Sequence, residues 1–190
     1  MNVVHSAHTD ETPGLSRLYV GMLLFLLSES FLFGNLFWTY YYLKAKTPVW
    51  PPQDVVLELP LIALNTAILL LSSVTMQMAV NSAQRENRRA TVRAMILTML
   101  LGGVFLFIKG WEWMHVDFQP WDHAYGSVFF TLTGFHGLHV LAGLILVAGL
   151  TIRTIRVPEI LPLHIEVGGL YWHFVDLVWI FVFTSLYIIR

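Results

Sequence analysis

Several polar side chains in this sequence have types and spacings that can do chemistry, and all of them lie in apolar surroundings. In the last hydrophobic run, Tyr171-Trp172-His173-Phe174-Val175-Asp176-Leu177-Val178-Trp179 sets an imidazole and a carboxylate three residues apart. On a helix those two share a face. Trp172, Asp176, Trp179 and Phe183 form an adjoining stripe. An acid in hydrocarbon costs about 2.5–3.5 kcal/mol on insertion scales, so Asp176 must face protein or water. His136 and His139 recur at the same spacing in Thr133-Gly134-Phe135-His136-Gly137-Leu138-His139-Val140, and Gly143 falls on their face. Two such imidazoles can ligate one ion. They can equally bond across a tight helix interface, which Gly134 and Gly137 would permit. Glu29, in Leu27-Ser28-Glu29-Ser30-Phe31-Leu32-Phe33, is either a neutral structural carboxyl or an acid that handles protons or senses lipid.

Three further groups have simpler readings. Glu112 and His115 spell Glu-x-x-His, a pattern that ligates iron in some helix bundles. Lys109 and Glu112, also three apart, read as a snorkelled ion pair near the end of a span. Asn65 and Thr66 need only interhelical hydrogen bonds, worth ~0.6 kcal/mol on average.

The elements that must position these groups follow from composition. The chain has 190 residues, 56% of them hydrophobic and 12% charged. A soluble domain carries about 25% charged residues, so this is an integral membrane protein. With no Cys, disulfides, thiolate metal sites and Cys nucleophiles are excluded. A net charge of −1 without a basic tract gives no basis for binding nucleic acid. Five apolar runs are long enough to cross a bilayer, at residues 16–43, 55–80, 91–114, 125–152 and 166–189. Pro48, Pro51, Pro52, the polar run Gln84 to Arg89, Asp117, Pro120, Asp122, Pro158 and Pro162 separate them. The expected fold is an all-α bundle of five transmembrane helices forming one domain over residues 16–190. A polar segment, residues 1–15, precedes it and lacks the basic-then-apolar order of a cleaved signal. Arg17, Arg85, Arg88, Arg89, Arg93, Arg153 and Arg156 gather at one end of the bundle, against Lys44, Lys46 and Arg190 at the other. The excess of basic residues predicts the N-terminus inside and the C-terminus outside.

Depth along the membrane normal relates the polar groups to one another. At ~1.5 Å per residue, Glu29 lies about 16 Å from the inner surface, His136 and Asp176 about 13 Å, and His139 and His173 nearer 9 Å. This slab predicts a single polar cluster between the first, fourth and fifth helices. The same arithmetic separates Glu112 and His115 from His139 and His173 by some 15–20 Å. One metal ion with bonds of ~2 Å cannot take ligands from both sets. Related halves, the mark of many secondary transporters, are absent.

The motif Tyr171 to Asp176 followed by Trp179, together with Gly134 to Val140, resembles subunit III of the haem-copper oxidases. Ser28-Glu29 with Phe31 and Phe33, Trp50-Pro51-Pro52, Pro60-Leu61 with Leu64-Asn65-Thr66, and Tyr125-Gly126-Ser127 with Phe129-Phe130 agree in the same order. The likeness runs from about Leu18 to the C-terminus.

The resemblance implies a subunit without haem or copper of its own, those cofactors being held by partner subunits. It implies direct packing on the catalytic subunit I, membership of a complex with subunit II and others, and bound phospholipid. The implied roles are support of proton uptake and protection against inactivation during turnover. Glu29 falls at the family's buried, carbodiimide-reactive glutamate. Glu112, His136, His139, Glu166, Trp172, His173 and Asp176 fall on motif positions that read as structural, and Asn65 joins them in the expected intramembrane polar network. Many members have seven spans, and this chain resembles the five-span form that begins at the equivalent of their third helix. That form implies a bacterial plasma membrane and leaves the electron donor, cytochrome c or quinol, open. Alternatives are an accessory subunit of a nitric oxide reductase, a membrane metalloenzyme and an ion transporter.

Overall fold

The computed structural model describes residues 16–53, 55, 57–157 and 159–189; the polar segment 1–15 lies outside them. The described residues form five helices long and apolar enough to cross a membrane, and no strand. They are α1 (Arg17–Lys46), α2 (Leu59–Gln84), α3 (Arg88–His115), α4 (Ala124–Arg156) and α5 (Pro162–Phe183). The chain leaves α5 through a π-helical stretch, Thr184–Ile188. In hydrocarbon a backbone must satisfy its own polar groups, which is why long apolar runs become helices.

Side chains supply the caps. Ser16 Oγ accepts from the Tyr19 amide at 3.2 Å, and Asn87 Oδ1 accepts from the Ala90 amide at 3.1 Å. His123 Nδ1 accepts from the Gly126 amide at 2.8 Å. α2 and α5 each carry a proline in their first turn, where the missing N–H is no loss. Pro60 therefore starts α2 at Leu59, four residues beyond the expected boundary, and the helix runs on to Gln84.

α2 and α3 form the most extensive helix pair, and α5 packs against α2, α4 and α1. α5 is thus the central element. Trp172 and Trp179, the largest fully buried side chains, both belong to it. Their indoles are tied to α2: Trp172 Nε1 donates to Ser72 Oγ at 3.1 Å, and Trp179 Nε1 to Thr66 Oγ1 at 3.0 Å. Gly102 of α3 and Gly143 of α4 make room for the Trp172 ring. α1 is the outermost helix, burying only Leu26, Phe33 and Tyr40, and Leu24, Phe31 and Trp38 stand exposed on it.

Tyrosines close the far end of α5. The carbonyls of Ser185 and Leu186 lie at a helix terminus, where they would lack intrahelical partners. Tyr40 of α1 donates to Ser185 O at 2.6 Å and Tyr125 of α4 to Leu186 O at 3.0 Å.

Candidate functional site

The polar residues inside the bundle occupy three places. The first lies between α3 and the π-helical end of α5. Lys109 and Glu112 are paired there, and Tyr187 bonds to both, donating to Glu112 Oε1 at 2.8 Å. The lysine is 4% exposed and the glutamate 6%. The ammonium also sits 5.0 Å from the ring centroids of Trp179 and Tyr187 and 5.3 Å from that of Phe129. The expected snorkelling pair is thus corrected to a buried triad. Tertiary packing turns this face of α3 inward, and the Tyr187 hydroxyl and three aromatic faces replace water. His115, a turn further on, is exposed, stacks on Trp111 at 4.0 Å and bonds to that residue's carbonyl. Glu112 and His115 therefore share no ligand site.

The second place lies between α1 and α4. His139 Nε2 and Glu29 Oε2 are 2.9 Å apart, with side chains 15% and 16% exposed. His139 Nδ1 lies 2.7 Å from Phe135 O, a carbonyl that only accepts, so Nδ1 carries a proton. Nε2 then either donates to the carboxylate as part of an imidazolium or accepts from the carboxyl of a neutral Glu29. Tyr171 of α5 steadies the same turn by donating to His139 O at 3.0 Å.

The third place lies between α2 and α5. His173 Nδ1 is 2.6 Å from Ser73 Oγ, and His173 Nε2 is 3.2 Å from Gln77 Oε1. Asp176, 3% exposed, lies beside Ser73, and neither of its oxygens has a hydrogen-bond partner among the described residues. Glu166 lines a crevice of about 190 Å³ that also reaches Gln77 and His173.

The single cluster expected from equal depth is therefore not formed. Tyr171 and His173 differ by about 200° around the helix, so Tyr171 faces α4 while His173 faces α2. Depth places groups in a slab, and the rotation of each helix decides which of them meet. His136 belongs to neither pair. It is fully buried against Trp179 at 4.8 Å and Phe105 at 5.8 Å, and among the described residues neither ring nitrogen has a hydrogen-bond partner. Asn65 Nδ2 donates to Phe105 O on α3 at 3.1 Å. Among the described residues, no three His, Asp or Glu side chains stand where they could hold one metal ion.

Sequence reading missed Ser73, Gln77 and Tyr187. Each is common in such helices, and only the facing partner makes it notable. A tyrosine at the membrane depth of a buried lysine is the one signal that depth arithmetic could have used.

The family model described as cytochrome c oxidase subunit III matches residues 3–190. Proteins named cytochrome c oxidase subunit 3 from Oncorhynchus mykiss and Salmo salar are 41% identical over 188 residues, covering 93% of this chain and 71% of theirs. The protein of that name from Papio hamadryas is 40% identical over the same coverage.

Proposed function

The chain belongs to the cytochrome c oxidase subunit III family, and from that premise we propose that it is the non-redox third subunit of a respiratory haem-copper oxygen reductase. In this reading it packs directly on subunit I, assembles with subunit II and the remaining subunits, and supports proton uptake and stability during turnover. Haem and copper reside in the partners. In this reading the membrane is a bacterial plasma membrane, with the N-terminus inside.

The observation that carries the proposal is the Glu29–His139 pair. It is nearly enclosed yet remains about one-sixth open at the seam of α1 and α4. The neighbouring α1 surface is apolar, with Leu24, Leu27 and Phe31 exposed. A polar pair open to hydrocarbon is costly, so a protein partner or lipid headgroup over this seam is favoured. An apolar groove of about 540 Å³ between α3 and α4, lined by Trp113, Phe130, Leu138 and Leu141, suits a lipid acyl chain.

The test is purification through a tag on this chain, followed by Glu29→Ala. A haem-copper catalytic subunit should co-purify. The variant should keep haem content and initial turnover, then lose activity sooner during sustained turnover or release subunit I more readily. Co-purification of a nitric oxide reductase instead, or total loss of haem in the variant, would overturn this assignment.

A further inference from the structure

Two charges of α3 are hidden close to a bundle end where water should reach them. Glu112 and Lys109 precede the last residue of α3, His115, by three and six positions. At ~1.5 Å per residue they lie only about 4.5 and 9 Å below that end. A lysine at such a depth ordinarily extends its stem to solvent. Here the two residues are almost fully buried, so something must cover them. Both connections at this end supply the cover.

The connection between α1 and α2 lays Trp50 across the bundle end. Its ring stands between Tyr40 of α1 and Tyr125 of α4, with centroids 5.5 and 5.2 Å away and each ring plane at 71° to its own. Trp50 Nε1 donates to Tyr40 Oη at 3.2 Å. Val55 and Leu57 of the same connection are buried. The connection between α3 and α4 contributes Phe118, also buried, which packs on Tyr125 at 6.1 Å and Phe129 at 5.3 Å. Asp122 Oδ2 fixes that turn by accepting from the Gln119 amide at 2.7 Å. One turn further in on α4, Phe129 meets Tyr187 at 6.1 Å and lies 5.3 Å from the Lys109 ammonium. An aromatic layer therefore separates the charged triad from the bundle end.

The chemistry of the layer keeps water out. A buried water needs two to four polar partners. The Tyr40 hydroxyl donates to Ser185 O while accepting from Trp50, and the Tyr125 hydroxyl donates to Leu186 O. Both hydroxyl protons and the indole N–H are thus spent within the protein, and packed rings leave few gaps of water size. The opposite end is built differently. Tyr19, Gln77, Gln84, Glu166 and His173 line an open crevice of about 190 Å³ there, and Gln77 and Gln84 are exposed.

We propose that Trp50 and Phe118 form a plug that closes this end of the bundle to water, so that the polar interior meets water only through the crevice at the other end. A bundle with charges open at both ends would offer water a path along its polar residues. With one end plugged, those residues equilibrate with a single aqueous phase. The device stands whichever complex the chain joins.

Thiol accessibility tests it, because the chain has no cysteine. The full chain is used in the complex with which it purifies, in sealed vesicles. Leu186→Cys and Val182→Cys place thiols at fully buried positions beneath the plug, one turn apart on α5. A charged, impermeant methanethiosulfonate added to either face should leave both unlabelled. Trp50→Ala and Phe118→Ala should each speed labelling of Leu186→Cys by roughly tenfold or more, since a packed site otherwise reacts only through local opening. Entry should be from the face that carries Lys46. Val147→Cys, buried in the far half of α4, should stay protected in the same variants. Gln84→Cys should react from the opposite face with the plug intact. Labelling of both buried thiols beneath an intact plug, unchanged protection of Leu186→Cys in both plug variants, entry from the crevice face, a protected Gln84→Cys, or exposure of Val147→Cys together with Leu186→Cys would overturn the inference. Should Trp50→Ala fail to assemble, Phe118→Ala decides alone.

Discussion

The buried triad offers a quantitative test of the packing. Glu112→Gln removes the charge that pairs with Lys109 while keeping the side-chain shape. The ammonium is then held by neutral groups alone: the glutamine amide oxygen, the Tyr187 hydroxyl and three rings centred 5.0–5.3 Å away. Breaking a buried pair by removing one partner costs about 3–5 kcal/mol. Cation–π attraction of about 2 kcal/mol in a desolvated site already acts in wild type, so it does not replace the lost partner. A cost of about 3 kcal/mol is expected. Lys109→Met leaves the carboxylate with one hydroxyl donor and should cost a similar amount. The double variant leaves no uncompensated charge, and a buried pair replaced by neutral side chains of similar volume is often near neutral in stability. Its cost should therefore fall short of the summed single costs, about 6 kcal/mol, by at least about 3 kcal/mol. The assay is equilibrium unfolding by SDS in mixed micelles, followed by tryptophan fluorescence. If the double variant's cost equals that sum to within about 0.5 kcal/mol, the two charges are independent and the triad is not the unit described.

Other perturbations probe separate parts of the bundle. A Cβ added at Gly102 would lie 2.7 and 2.9 Å from atoms of the Trp172 ring. Gly102→Ala should therefore destabilise by about 1–3 kcal/mol. At Gly103, where nothing lies within 4 Å, alanine should be neutral or stabilise by up to ~1 kcal/mol; the same unfolding assay separates the two. Trp179→Phe removes the donor to Thr66 and part of the ring over Lys109. It should destabilise by at least ~2 kcal/mol in that assay. Because the chain has no cysteine, Arg85→Cys and Asp117→Cys can be labelled singly in sealed vesicles. An impermeant maleimide should reach them from opposite faces, Arg85 from the inside; the reverse pattern would refute the assigned orientation.

Hydrophobicity alone made the fold class and the five spans legible. Crossing a bilayer demands a minimum apolar length and an internally satisfied backbone, and both are properties of a contiguous segment. The motifs around Glu29, Gly134 to Val140 and Tyr171 to Trp179 were likewise sufficient for the family, because they are long and occur in order. Membrane depth was also readable, since it scales with residue number along a helix. What the sequence could not contain was the rotation of each helix about its axis. That rotation sends His173 to Ser73 and His139 to Glu29, dividing a slab of equal depth into separate sites. It also draws Lys109 inward to Tyr187, a residue 78 positions away. Such rotation is decided by packing between segments distant in the chain, chiefly the lodging of Trp172 between Gly102 and Gly143. Only the assembled bundle therefore shows which buried acid has a histidine and which has a serine for its neighbour.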